Sequence, residues 1–160
     1  MSKNLIFISY TNKDENSFTL AKKVYESLSS VFPDQVFFSP RTIEKQSNSN
    51  FRTVIDENLR DTTTLILVAT ENVYIHEGWI KYECDTFSTM INSGLKPAGE
   101  MFVIYKNISV PADLPTSLIN AQCYCSDNLS ALVSQLKVKY LEKANKETIY
   151  DFTSRMIAKN

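Results

Sequence analysis

The chain has 160 residues, 43% of them apolar and 22% charged, the make-up of one ordinary globular domain that buries roughly two-thirds of its unfolded surface. With 17 basic against 18 acidic residues and a formal charge of −1, it lacks the concentrated positive field that nucleic-acid binding needs. Three glycines and five prolines exclude collagen-like and Gly-rich disordered classes, and leave little glycine for a Walker or dinucleotide-fingerprint loop.

Residues 5–8 (Leu5, Ile6, Phe7, Ile8) form a continuous apolar run of the kind buried on both faces in a parallel sheet, followed by a polar stretch over residues 9–16. Leu20, Val24, Leu28 and Val31 share one helical face, and Pro33 and Asp34 end that helix. Val36, Phe37 and Phe38 predict a second strand, and residues 39–50 a long polar loop of the sort that carries function. Phe51, Val54, Ile55 and Leu59 then mark a second amphipathic helix, and residues 65–69 a third strand. Ile80, Cys84, Phe87 and Ile91 mark a third helix, closed by Ser93, Gly94 and Pro97. A fourth strand is expected at 101–105, an irregular stretch at 111–115 and a fifth strand at 121–124. Leu129, Leu132, Val133 and Leu136 define a further helix, and Ile149, Phe152 and Met156 a weaker pattern after a charged connection. Alternating strands and helices of this kind predict an α/β fold with a doubly wound parallel sheet.

The three cysteines, Cys84, Cys123 and Cys125, form no disulfide framework, which points to a reducing, cytoplasmic setting. On a strand, Cys123 and Cys125 would share a face, but with no second pair or nearby His no metal site is expected. The longest apolar runs, 65–69 and 101–105, are far too short for a membrane span, and 5–8 is too short for a signal-peptide core.

Ligands of an open parallel sheet bind beyond the carboxyl ends of its strands, so residues 9–14, 39–47 and 70–83 are where chemistry is expected. A phosphoreceiver would need an acceptor Asp after the third strand, where this chain has Ala69 and Thr70. Residues 9–14 (Ser9, Tyr10, Thr11, Asn12, Lys13, Asp14) are too bulky for a flavin-phosphate nest. Trp79 and Glu83 lie one helical turn apart, on a face rotated slightly from the apolar stripe. Two assignments suit them. An indole and a partly desolvated carboxylate at the edge of a core offer a stacking surface and a stabiliser of positive charge. Equally, Trp79 is a core anchor and Glu83 a solvated acid favoured by the helix dipole; spacing alone favours this second assignment.

Phe7, Ile8, Ser9 and Tyr10, with Asp14 shortly after, resemble the opening motif of the Toll/interleukin-1 receptor (TIR) domain family. Trp79 and Glu83 match, in identity and spacing, the Trp and Glu of its NAD+-cleaving members. Val36, Phe37 and Phe38 leading to Arg41, Ile43 and Phe51 resemble the second strand and the mobile loop after it. The resemblance covers about residues 4–142. It implies a TIR domain at 1–142, with 143–160 a helical tail or the start of a linker, and a flavodoxin-like three-layer sandwich around a five-stranded parallel sheet. Departures are Thr11 and Asn12, where animal members often carry basic residues; Ser39, where bacterial relatives often carry an acid; a loop glycine replaced by polar residues around Ser47; and Glu77, where a Ser is frequent.

The resemblance further implies an NAD+ glycohydrolase or cyclase in bacterial antiphage defence, with NAD+ as substrate and no resident cofactor. Glu83 would be the catalytic carboxylate, and Trp79 would stack on the base or shape the pocket. Ser9, Tyr10, Thr11, Ser39 and Arg41 are expected to bind substrate, with packing the alternative for Tyr10. Arg41 and Lys45 would reach phosphates or a neighbouring protomer, or else be solvated. Self-association and a downstream effector that senses the product are expected as partners. The alternative class is a non-catalytic adaptor that works by TIR–TIR self-association through the 39–50 loop. Asp14 reads as an N-cap or first-helix acid rather than a catalyst, and His76, placed where a base could stand, as an exposed loop residue.

Overall fold

The computed structural model describes residues 3–38 and 49–142. The chain divides into two compact units, Met1–Asp127 and Asn128–Asn160.

The first unit holds the sheet. Strand β1 (Ile6–Ser9) is buried along its whole length. Helix α1 (Glu15–Ser29) follows, burying Ser17, Leu20, Ala21, Val24 and Leu28 on one face. Strand β2 (Val36–Phe38) precedes helix α2 (Ser49–Asp61). Strand β3 (Thr64–Ala69) is buried at all six residues, as its continuous apolar run predicts. A short helix α3 (Asn72–Ile75) leads into α4 (Gly78–Asn92), then come β4 (Glu100–Tyr105), a 3-10 turn (Thr116–Leu118) and β5 (Gln122–Cys125). The four-residue α3 is too short to leave a periodic signature in the sequence. Gly78, at φ 59°, lets the chain turn directly from α3 into α4. Gly94, at φ 84°, closes α4, its N–H donating to the carbonyl of Ile91.

The five strands are all parallel, in the order β2-β1-β3-β4-β5. This is the α/β, flavodoxin-like arrangement the sequence predicts. Because successive strand residues point to opposite faces, Phe7, Leu65, Leu67 and Val103 share one side. There they pack with Phe51, Ile55 and Leu59 of α2 and Ile80, Cys84 and Phe87 of α4. The alternate residues, Ile6, Ile8, Ile66 and Val68, are equally buried and face the side that carries α1. The strand order reverses between β1 and β3, which creates a crevice at their carboxyl ends.

A 3-10 turn (Ser126–Asn128) precedes α5 (Leu129–Lys137) and its π-helical continuation (Val138–Glu142), both of the second unit. Helix α5 buries Leu132 and Leu136. The expected pattern at Ile149, Phe152 and Met156, and the segment 143–160 as a whole, lie outside the described residues. Among the described residues no helix is long and apolar enough to cross a membrane.

Candidate functional site

Ser9 is the last residue of β1, registered beside Leu67 of β3. Strand alternation turns its side chain to the same face as Phe7, the face covered by α4. There its hydroxyl donates to Glu83 Oε1 at 2.7 Å. Ser9 is fully buried and Glu83 is 5% exposed, so the carboxylate is held in the interior at the crevice. This overturns the assignment of Glu83 as a solvated first-turn acid: it stands in the second turn of α4 and faces inward. A carboxylate in such a place is tolerated only with hydrogen-bond donors in reach, and the hydroxyl that ends β1 is one.

Cys84 is completely buried beside it. Burial pushes its thiol well above the usual range, and the adjacent Glu83 charge adds to the rise, against a smaller opposing effect of the Ser9 hydrogen bond. Since only the thiolate reacts, Cys84 is a packing residue. Iodoacetamide at pH 8 should therefore leave Cys84 unmodified in the folded chain, while the half-buried Cys125 reacts. Peptide mass spectrometry checks this, and Cys84 should become labelled only on unfolding.

A cavity of about 160 Å³ lies between the residues that follow β1 and the start of α4. One wall is the β1–α1 connection, Tyr10, Thr11, Asn12 and Lys13. The other is Tyr74 of α3 with Glu77, Gly78, Trp79 and Ile80 at the start of α4. Glu83 and Ser9 do not line it; they sit next to its walls in the chain, Ser9 directly before Tyr10 and Glu83 one turn after Trp79. Trp79 is half-buried and meets Phe51 edge-on at 4.7 Å and Tyr82 at 5.5 Å. Its position is thereby fixed by packing while it also contributes to the cavity. Tyr82 in turn donates to Asp56 Oδ1 at 2.5 Å, and this bond to a carboxylate, with burial, raises the phenol above its ordinary range. Arg52 lies 5.0 Å over the Tyr82 ring.

Tyr10 packs, and it also stands in the cavity wall. It lines the cavity, yet is 4% exposed and stacks on Phe38 at 4.9 Å. Thr11 Oγ1 accepts from the Lys13 N–H at 3.1 Å, shaping the loop. Lys13 Nζ reaches across to Glu77 at 3.2 Å, an exposed pair that contributes little to stability. Asp14 caps α1, accepting from the Asn16 N–H, and its other oxygen accepts from Thr70 Oγ1 at 2.7 Å. The loop after β1 is thus tied to the end of β3. Asp14→Ala should lower stability by about 2 kcal/mol, a lost cap plus a hydrogen bond of the largely buried Thr70. That corresponds to a Tm lower by roughly 4–8 °C for a domain of this size, read by thermal unfolding.

His76 Nε2 lies 2.7 Å from the Asp113 carbonyl. A carbonyl only accepts, so Nε2 carries the proton and the ring anchors a loop. Ser39, Arg41 and Lys45 lie outside the described residues, as does most of the 39–50 loop. Sequence reasoning placed Tyr74 and Asn12 within the stretches where chemistry is expected, but singled out neither as a site residue. Both polar atoms of the Asn12 amide are shut off from solvent and have no hydrogen-bond partner among the described residues. Among those residues no group of three or more His, Cys, Asp or Glu side chains gathers where it could hold a metal ion. No protein-family model matches the chain, and a search of curated proteins returns no significant relative, so any function has to be argued from this geometry and the motifs within it.

Proposed function

We propose that the chain cleaves NAD+ at the bond between nicotinamide and ribose, releasing nicotinamide and either ADP-ribose or a cyclic isomer. The observation that carries this reading is the buried Ser9–Glu83 pair at the carboxyl end of β1, next in the chain to the walls of a cavity that include an indole. Cavities of about 150 Å³ take up a benzene-sized ring, so 160 Å³ suits the leaving nicotinamide. A ring seated on Trp79 leaves the attached ribose to extend along α4. Glu83 lies one turn further, a rise of ~5.4 Å.

Nicotinamide is cationic in NAD+. When its nitrogen–C1′ bond breaks, the bonding pair neutralises the ring nitrogen, and no general acid is required. This is why one carboxylate suffices where O-glycoside hydrolysis uses two. Positive charge develops on the ribose, and the Glu83 carboxylate stabilises it electrostatically. Ser9 acts as a positioning residue, holding Oε1 in place. Water captures the ribosyl cation and loses a proton to solvent, giving ADP-ribose; capture by a nucleophile of the same molecule gives the cyclic product. Self-association of copies, a role in antiphage defence in the cytoplasm and an effector that senses the product belong to the same reading, on the TIR resemblance.

Nicotinamide release from NAD+ by the purified chain, dilute and under crowding, tests the reaction, with Glu83→Gln as the control. Turnover that the variant loses supports it. A chain that releases none when concentrated and crowded is instead a non-catalytic adaptor.

A further inference from the structure

Behind Trp79 stand side chains that have no part in the scheme above. The indole meets Phe51 at 4.7 Å and Tyr82 at 5.5 Å, each nearly at right angles. Phe51, in the first turn of α2, is 4% exposed and belongs to the core, so packing sets its place. Tyr82 is only partly buried, and a tyrosine with space around it turns among rotamers. Its far end is tied instead. The phenol donates to Asp56 Oδ1 at 2.5 Å, Arg52 lies 5.0 Å over the ring, and Arg52 Nε pairs with Asp56, one turn along α2, at 3.8 Å.

The Arg52 and Asp56 side chains are 64% and 46% exposed, and an ion pair so open to water contributes little to stability. What this network removes is freedom. A phenol bonded to a carboxylate, with a guanidinium over its ring, is held in one rotamer, and the indole packed against that ring is braced on the same side. Helix α2 therefore reaches the cavity wall by a buried route, Phe51, and by an exposed one, Asp56 through Tyr82. Building on the NAD+ reading, we infer that Asp56 and Tyr82 are positioning residues for the leaving ring: their hydrogen bond holds Trp79 where the nicotinamide seats.

The test compares Tyr82→Phe, Asp56→Leu and Asp56→Asn in the whole chain. Tyr82→Phe keeps the ring against Trp79 and loses only the hydroxyl; Asp56→Leu removes the acceptor. Each should raise KM for NAD+ about tenfold with kcat within about twofold of wild type, because a wall that holds the ring alike in ground and transition state acts on KM. Tenfold is modest beside the roughly 10²-fold that a misplacement of about 1 Å costs. Asp56→Asn still offers a carbonyl to the phenol and should recover most of the loss, to within about threefold of wild type. The double change Tyr82→Phe with Asp56→Leu should be no worse than either alone, since the two act as one unit. Tm should fall by no more than roughly 4 °C in each. A KM unchanged in Tyr82→Phe and Asp56→Leu overturns the assignment whatever Tm does, and leaves NAD+ cleavage standing. So do losses that multiply in the double change, which would make the two residues independent.

Trp79 is the single tryptophan of the chain, so its fluorescence reads the wall without any substrate. Excited beyond the tyrosine band, the wild-type indole should depolarise mainly as the whole molecule tumbles. Tyr82→Phe and Asp56→Leu should about double the amplitude of the fast, side-chain component, and Asp56→Asn should restore it. Wild type that cleaves nothing overturns the NAD+ reading alone, and this depolarisation then decides whether the bond holds the indole: a doubled amplitude supports it. Equal depolarisation in wild type, Tyr82→Phe and Asp56→Leu overturns the positioning role in either case.

Discussion

Glu83→Gln should abolish nicotinamide release, by ~10³-fold or more, while leaving the chain at least as stable as wild type. The expected loss is at the upper end of what removal of one positioned electrostatic group causes. The amide keeps the shape and can still accept from Ser9, so the 2.7 Å hydrogen bond survives while the charge is removed. Burying a carboxylate that is 5% exposed is unfavourable in itself, and neutralising it relieves that penalty. Activity and stability therefore move apart, which a merely structural glutamate would not produce. Single-turnover nicotinamide release and thermal unfolding on the same samples check both halves. A variant that retains activity within tenfold would rule out Glu83 as the stabilising carboxylate.

Phe87→Ala should be the most destabilising single truncation on α4, by about 3–5 kcal/mol, or a Tm lower by roughly 10 °C. Phe87 is fully buried, in the cluster with Leu65, Leu67, Val103 and Leu118. It also supports an unusual neighbour. Lys96 is 7% exposed, with Nζ 5.0 Å over the Phe87 ring and donating to the carbonyls of Arg60, at 2.8 Å, and Thr62. The ammonium thereby satisfies backbone acceptors where α2 ends. Removing the ring empties a core site and takes away the π-face on which that buried charge rests. Far-UV circular dichroism on heating measures the shift, and Ile119→Ala, at a residue 56% exposed, should leave Tm nearly unchanged.

The sequence disclosed the sheet because parallel strands covered on both faces read as short unbroken apolar runs, as at Leu65, Ile66, Leu67 and Val68. It disclosed α2 and α4 through their 3.6-residue stripes. The state of Glu83 was less readable. On a helical wheel it falls at the edge of the apolar stripe, where a carboxylate is ordinarily solvated. Inside, it meets a hydroxyl 74 residues away in the chain, and periodicity carries no information about such a partner. Trp79 shows the same limit. Its spacing from Glu83 was visible, but the Phe51 and Tyr82 rings that fix it were placed only once α2 and α4 packed together. Asn12 was hidden for the opposite reason: it lies in a polar stretch that looks solvated, and only folding shuts its amide away from water.

The sheet ends in strands of three residues at β2 and four at β5. A margin that short offers a second chain few open backbone groups, so continuing the sheet from molecule to molecule would be a weak way to join copies. If copies of this chain gather to become active, side chains on helices and loops are better placed than these edges to make the joints. Such an assembly could form and dissolve with a signal, where a cross-strand fibre would tend to persist.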